Sequence, residues 1–198
     1  MKGIMFIEPL FHKVIKGGKT QTRRVMSPQP EIFFDIPIMP KLKLKYKLGE
    51  ILYLKEPYVD DLIMEKTLFK YDKSDLQELI DNGYGDMVDS KGFWKNKLFM
   101  PQSAARHFIQ ITGIRAERLQ DISDEDCIKE GIINWKDEKD LPKNSVKEIL
   151  GFSDCFSWNN HSIPQDAYAA LIDKITGRGT WDKDPWLWVY DFKYFNIK

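Results

Sequence analysis

Residues Pro185-Trp186-Leu187-Trp188-Val189-Tyr190-Asp191-Phe192-Lys193-Tyr194-Phe195 alternate with period two, which a helix cannot turn into one apolar face. The segment reads as a strand. Its aromatics Trp186, Trp188, Tyr190, Phe192 and Tyr194 share a face, and core packing is their expected role, because aromatic rings dominate buried area. Trp186, at the start of the strand, is also the natural place for a stacked base. Phe108-Ile109-Gln110-Ile111-Thr112-Gly113-Ile114-Arg115-Ala116-Glu117-Arg118-Leu119 is a second long strand.

Shorter elements lie between and before these strands. Residues 3–7 form an apolar run that suits a strand. Pro9 opens a helix with Leu10, Phe11, Val14 and Ile15 on one face, and Gly17-Gly18 closes it. Residues 26–41, with Pro28, Pro30, Pro37 and Pro40, read as a loop. Residues 45–55 give a turn and a strand. Residues 57–100 read as irregular, with a strand at 67–71 and a helix at 74–80 capped by Ser74. Ser123-Asp124-Glu125-Asp126 is a capping box for a helix ending at Gly131. Residues 132–163 form a second polar excursion. Pro164 to Ile175 is a helix, with Ala167, Ala170, Leu171 and Ile175 on one face. Strands far apart in the chain with helices interspersed imply an α+β fold around a small mixed β-barrel. The expectation is a single domain over residues 1–198, with insertions at 57–100 and 132–163.

Charge sharpens this picture. The 198 residues carry 30 Lys+Arg and 30 Asp+Glu. A zero sum argues against a polycation that coats nucleic acid. Yet residues 1–55 hold 11 Lys+Arg against 4 Asp+Glu, so the neutral total hides a basic N-terminal quarter and an acidic remainder. No apolar run approaches the roughly 20 residues of a membrane-spanning helix. The opening residues lack the apolar core of a secretory leader. Cys127 and Cys155 are too few for a disulfide framework and read as reduced thiols. Zinc-ligand spacing is absent, and no metal or cofactor is expected. These features lead to the expectation of a cytoplasmic protein without membrane contact.

Lys19-Thr20-Gln21-Thr22-Arg23-Arg24 is the densest polar stretch. One reading is a solvated edge strand whose cations discourage aggregation. The other is a site for an anionic or polar ligand. Arg grips phosphate or a base edge bidentately. A Thr hydroxyl is a nucleophile when a base is near, and a desolvated Lys can be that base. Arg115 and Arg118 lie three apart on a strand, so at most one faces such a cleft. His12, His107 and His161 look isolated.

The pattern Gly17-x-Lys19-Thr20-x-Thr22-x-Arg24 resembles the signature of the ASCH-domain family, a branch of the PUA-like barrels. Three further pieces match in order: Leu48-Gly49-Glu50-Ile51-Leu52; the stretch from Arg118 to Ile132 with Glu130-Gly131; and Trp181-Asp182-Lys183-Asp184-Pro185-Trp186-Leu187-Trp188-Val189, similar to the closing strand of longer members common in phages and prophages. The resemblance implies a PUA-like mixed β-barrel with short flanking helices and a cleft for nucleic-acid-like ligands. Small bacterial members that this chain resembles are amidohydrolases that remove the acyl group of N4-acetylcytidine with a Thr, a Lys and a Glu. Those roles fall on Thr22, Lys19 and Glu130. Thr20, Arg23, Arg24, Arg118 and Trp186 would contact the substrate or nucleic acid. The implied partner is a modified nucleoside or single-stranded RNA. A binding module without chemistry is the alternative. Because residues 19 and 22 face opposite ways in a regular strand, the start of that strand should be irregular.

Overall fold

The two alternating segments become the longest strands of a computed structural model that describes residues 1–33, 36–38, 44–61, 66–134, 152–153 and 161–195. The strands are β1 (Lys2–Met5), β2 (Gln21–Val25), β3 (Glu31–Phe33), β4 (Ile36–Ile38), β5 (Ile51–Lys55), β6 (Tyr58–Asp61), β7 (Lys66–Phe69), β8 (Phe108–Arg118), β9 (Ile133–Asn134), β10 (Phe152–Ser153) and β11 (Trp186–Phe195). The helices are α1 (Glu8–Ile15), α2 (Lys73–Leu79), α3 (Asp124–Lys129), α4 (Pro164–Thr176) and α5 (Thr180–Lys183). Five strands are hydrogen-bonded in the order β1-β5-β8-β11-β2. β1 is parallel to β5, while β5 with β8 and β11 with β2 run antiparallel. β3/β4, β6/β7 and β9/β10 form separate antiparallel pairs. The result is a mixed α+β fold with a mainly antiparallel sheet.

The chain divides into two compact units. The first comprises Met1–Ile15, Ile51–Gln110 and Tyr194–Lys198. The second comprises Lys16–Glu50 and Ile111–Lys193. In the first unit α1 buries Leu10, Phe11 and Val14. The Phe11 ring meets Tyr71 and His107 edge-on at 5.1 and 5.6 Å. His12 and His107, which look isolated in sequence, thus flank one aromatic ring. Tyr58, Phe69 and Met100 form one small core, and Leu68, Leu79 and Val88 another.

In the second unit α3 and α4 bury Leu119, Ile122, Cys127, Tyr168 and Leu171 together with Leu187 of β11. Each such aliphatic side chain contributes about 1.5–3 kcal/mol by leaving water. Burial pushes the Cys127 thiol up to about 12, so it stays protonated and packs as an apolar group. Cys155 lies outside the described residues.

Four expectations need correction. The reading of 26–41 as a loop misses the β3/β4 pair, in which Pro37 faces Ile32. In a two-stranded pair every strand is an edge, so a missing N–H is tolerated there. Residues 57–100 hold the β6/β7 pair, and α2 is capped by Asp72 rather than Ser74, with Asp72 accepting from the Ser74 amide. The buried face of α4 is Pro164, Ala167, Tyr168, Leu171 and Ile172, with Ile175 exposed, because Tyr168 carries more apolar area than Ala170. On β11, Leu187 and Val189 are buried as fully as Tyr190 and Phe192, while Trp186 and Trp188 are half-buried. β11 lies between β8 and β2 and is covered on both faces, so aromatic alternation does not mark its core face. Of the 132–163 excursion, residues 135–151 and 154–160 lie outside the described residues.

Candidate active site

α1 stops at a Gly17 whose φ of 78° suits glycine alone. Lys19 and Thr20 precede β2, which runs in regular register from Gln21, so no bulge brings Lys19 and Thr22 to one face. The Thr20 amide donates to the Lys129 carbonyl (2.9 Å), and the Phe192 amide donates to the Thr20 carbonyl (2.8 Å). These bonds pin the segment between the end of α3 and β11. Ser123 caps α3 by accepting from the Asp126 amide, and Gly131, at φ 102°, ends it. The helix therefore stops with Glu130 turned inward. A terminal Glu is ordinarily solvated, but this one is 4% exposed.

Lys19 Nζ donates to Glu130 Oε2 at 2.5 Å and to the Glu130 carbonyl at 2.7 Å. Lys19 is 1% exposed. Arg23 Nη1 reaches Glu130 Oε1 (3.3 Å) and donates to Gln21 Oε1. Arg23 Nη2 donates to Glu117 (2.9 Å) and Asp126 (3.0 Å). Arg115 extends the network to Glu117, Asp126 and Asp191, and Lys129 reaches Asp126 (3.1 Å). Gln21 donates to Asp191 at 2.7 Å. Among the described residues the network balances four cations with four carboxylates. Gly113 belongs to it by having no side chain, since a Cβ there would lie 2.7 Å from Asp191 Oδ2.

Burial opposes the charge on Arg23, but Glu130, Tyr168, Asp126 and Glu117 outweigh it and hold its pKa above the ordinary value. Burial likewise disfavours ionised Asp126, yet its bonds to Lys129 and Arg23 and the charge of Arg115 carry its pKa below the usual range. Tyr168, wholly buried and beside Glu130, is pushed well up.

Successive strand residues face opposite sides. Gln21 and Arg23 face the network; Thr22 and Arg24 face the other side of β2, paired across the strand with Tyr190 and Trp188. Thr22 is buried, and among the described residues no hydrogen bond joins its hydroxyl to Lys19. Of the anticipated contact residues, Thr20 is exposed, Arg24 is half-buried and Arg23 is committed to carboxylates. Arg118 pairs with Asp184 (3.0 Å) and lies over the Trp186 ring at 5.8 Å, so that ring face already carries a cation. Arg115 joins the network and Arg118 does not, in keeping with their strand spacing. Sequence reading missed Arg115, Glu117 and Asp191 as network members. Their signal was Arg115-x-Glu117 on one strand face and an Asp interrupting an apolar strand.

Among the described residues no group of three or more His, Cys, Asp or Glu is arranged to hold a metal, and no helix is long and apolar enough to cross a membrane. No family model, no curated protein and no solved structure matches the chain.

Proposed function

We propose that the protein is an amidohydrolase that removes an acyl group from the exocyclic amine of a modified base such as N4-acetylcytidine, within a PUA-like, ASCH-type barrel. The observation that carries this reading is the Lys19–Glu130 pair: an ammonium and a carboxylate 2.5 Å apart, shielded from water and drawn from positions 111 residues apart. A proton can pass between them without changing the net charge, which leaves an amine able to accept another. Thr22, three residues along the same segment, supplies the hydroxyl. In the reaction Thr22 Oγ1 bonds to the acyl carbon and its proton passes to the Lys19 amine. The base amine leaves with a proton, and water then releases the acid from the acyl-threonine. Thr22 lies on the face of β2 opposite the Lys19–Glu130 pair, so the reaction requires the segment from Lys19 to Thr22 to rearrange on substrate binding until Thr22 Oγ1 and Lys19 Nζ are within hydrogen-bond reach. The commitment of Arg23 to carboxylates favours this reading over a binding module that would use Arg23 on phosphate.

Purified protein incubated with N4-acetylcytidine, followed by absorbance, tests it. Wild type should turn over. Thr22→Val and Lys19→Met should each lose at least about 100-fold in kcat/KM, the scale of a proton-transfer group, with folding checked by circular dichroism. Absence of wild-type turnover, or full activity in Thr22→Val, overturns the reading.

A further inference from the structure

Buried side-chain donors are nearly always partnered, so an exception calls for an explanation. Among the described residues four buried polar side-chain atoms have no hydrogen-bond partner: Arg23 Nε, His161 Nε2, Trp186 Nε1 and Tyr190 Oη. Tyr190 alone lies directly across the strand from Thr22. Residues opposite one another in an antiparallel pair share a face, with their Cβ atoms roughly 5 Å apart. The Tyr190 phenol therefore projects from the same side of the sheet as the Thr22 hydroxyl. Tyr190 is 0% exposed and Thr22 1%. The Tyr46 ring holds the phenol edge-on, with centroids 5.3 Å apart at 72°.

We infer that the Tyr190 hydroxyl is the donor that receives the substrate's acyl oxygen beside Thr22; this rests on the amidohydrolase reading. Attack on an amide carbonyl turns its oxygen into an oxyanion, and a donor fixed in advance in a dry site stabilises that charge without reorganising at the moment of reaction. An O–H that no acceptor among the described residues claims can make that bond. Burial raises the Tyr190 pKa, which keeps the proton on the phenol at neutral pH. The backbone amides of Tyr46 and Lys45 lean toward the same oxygen and favour its phenolate, but neither meets hydrogen-bond geometry. Thr22, Tyr46 and Tyr190 are all shielded from water, the dry surroundings in which a fixed donor acts most strongly.

Tyr190→Phe keeps the ring and removes only the hydroxyl, so the fold should hold. Two measurements separate this inference from the reading it rests on: kcat and KM for N4-acetylcytidine, and calorimetric binding of N4-acetylcytidine to Thr22→Val with and without Tyr190→Phe. Loss of one oxyanion donor should lower kcat about 100- to 1000-fold, with KM changed much less and the melting temperature unchanged or higher. Wild-type turnover with Tyr190→Phe within threefold in kcat overturns the role of Tyr190 and leaves the amidohydrolase reading intact. No turnover, but binding weakened at least tenfold by Tyr190→Phe, overturns the chemistry and upholds Tyr190 as the donor to the acyl oxygen. No turnover together with binding that is absent or indifferent to Tyr190→Phe overturns both.

Discussion

Each compact unit holds an arginine surrounded by carboxylates, and the two arginines are used differently. In the first unit Arg106 binds Glu56 through two parallel bonds of 2.9 Å and reaches Asp72 at 2.5 Å. Asp72 caps α2, and Glu56 follows β5 directly, so Arg106 ties a strand end to a helix start. Its guanidinium lies 4.1 Å from the centroid of the Phe69 ring, and about a quarter of the side chain remains in solvent (27%). In the second unit the Arg23 side chain is wholly buried, and a second cation, Lys19, shares its Glu130 partner. Arg106 acts as a brace with one cation. The Arg23 network adds a second buried cation on the same carboxylate, beside a strand whose other face carries Thr22. A buried ion cluster marks a candidate site only when such chemistry accompanies it.

The largest expected effect tests that contrast in stability. Arg23→Met keeps the apolar stem but leaves Glu117, Asp126 and Glu130 without their common partner, and should cost about 3–5 kcal/mol in urea unfolding. Arg106→Met should cost less, about 2 kcal/mol, because it strands one fully buried carboxylate, Glu56, while solvent reaches Asp72. Equal losses would remove the distinction between a dry network and a wet brace. Smaller still, Ser123→Ala should cost about 1 kcal/mol by removing the cap of α3. It should also reduce turnover if the position of Glu130 depends on that helix end, whereas a stability loss with full activity would separate the two.

The smallest effect is a pH dependence confined to the first unit. His107 bonds Tyr194 through Nδ1 at 2.9 Å, and burial, aided by Arg106, lowers its pKa from 6.5 to about 4. A lowered histidine pKa means the folded state favours the neutral ring. The stability this contributes is present above pH 6.5 and is lost as pH falls toward 4. A proton NMR titration should place the His107 midpoint near 4 and a drop in stability in the same window. A midpoint near 6.5 would show that the ring is solvated.

Much of the local structure was legible in the residues. Pro9 and Gly17 bracket α1, Ser123 caps α3, Pro164 opens α4, and the alternations mark β8 and β11. These signals depend on neighbours within a turn or along one strand. The β3/β4 pair was missed because the turn residues of 26–41 outweigh two three-residue strands, and a short edge strand carries too little pattern to register. The core face of β11 was misread because a strand covered on both sides has no single apolar face.

The candidate site divides the same way. Lys19, Thr22, Arg23 and Glu130 were picked out from sequence. That Lys19 and Arg23 both close on Glu130, and that Thr22 stands across from Tyr190 on the opposite face, could not be read there. Sequence by itself determined where helices and long strands begin and end, because caps, prolines, glycines and period-two alternation act over a few residues. Only the tertiary structure decided which charges meet and which donor stays unpartnered. Those outcomes depend on contacts more than 100 residues apart and on water being excluded between them.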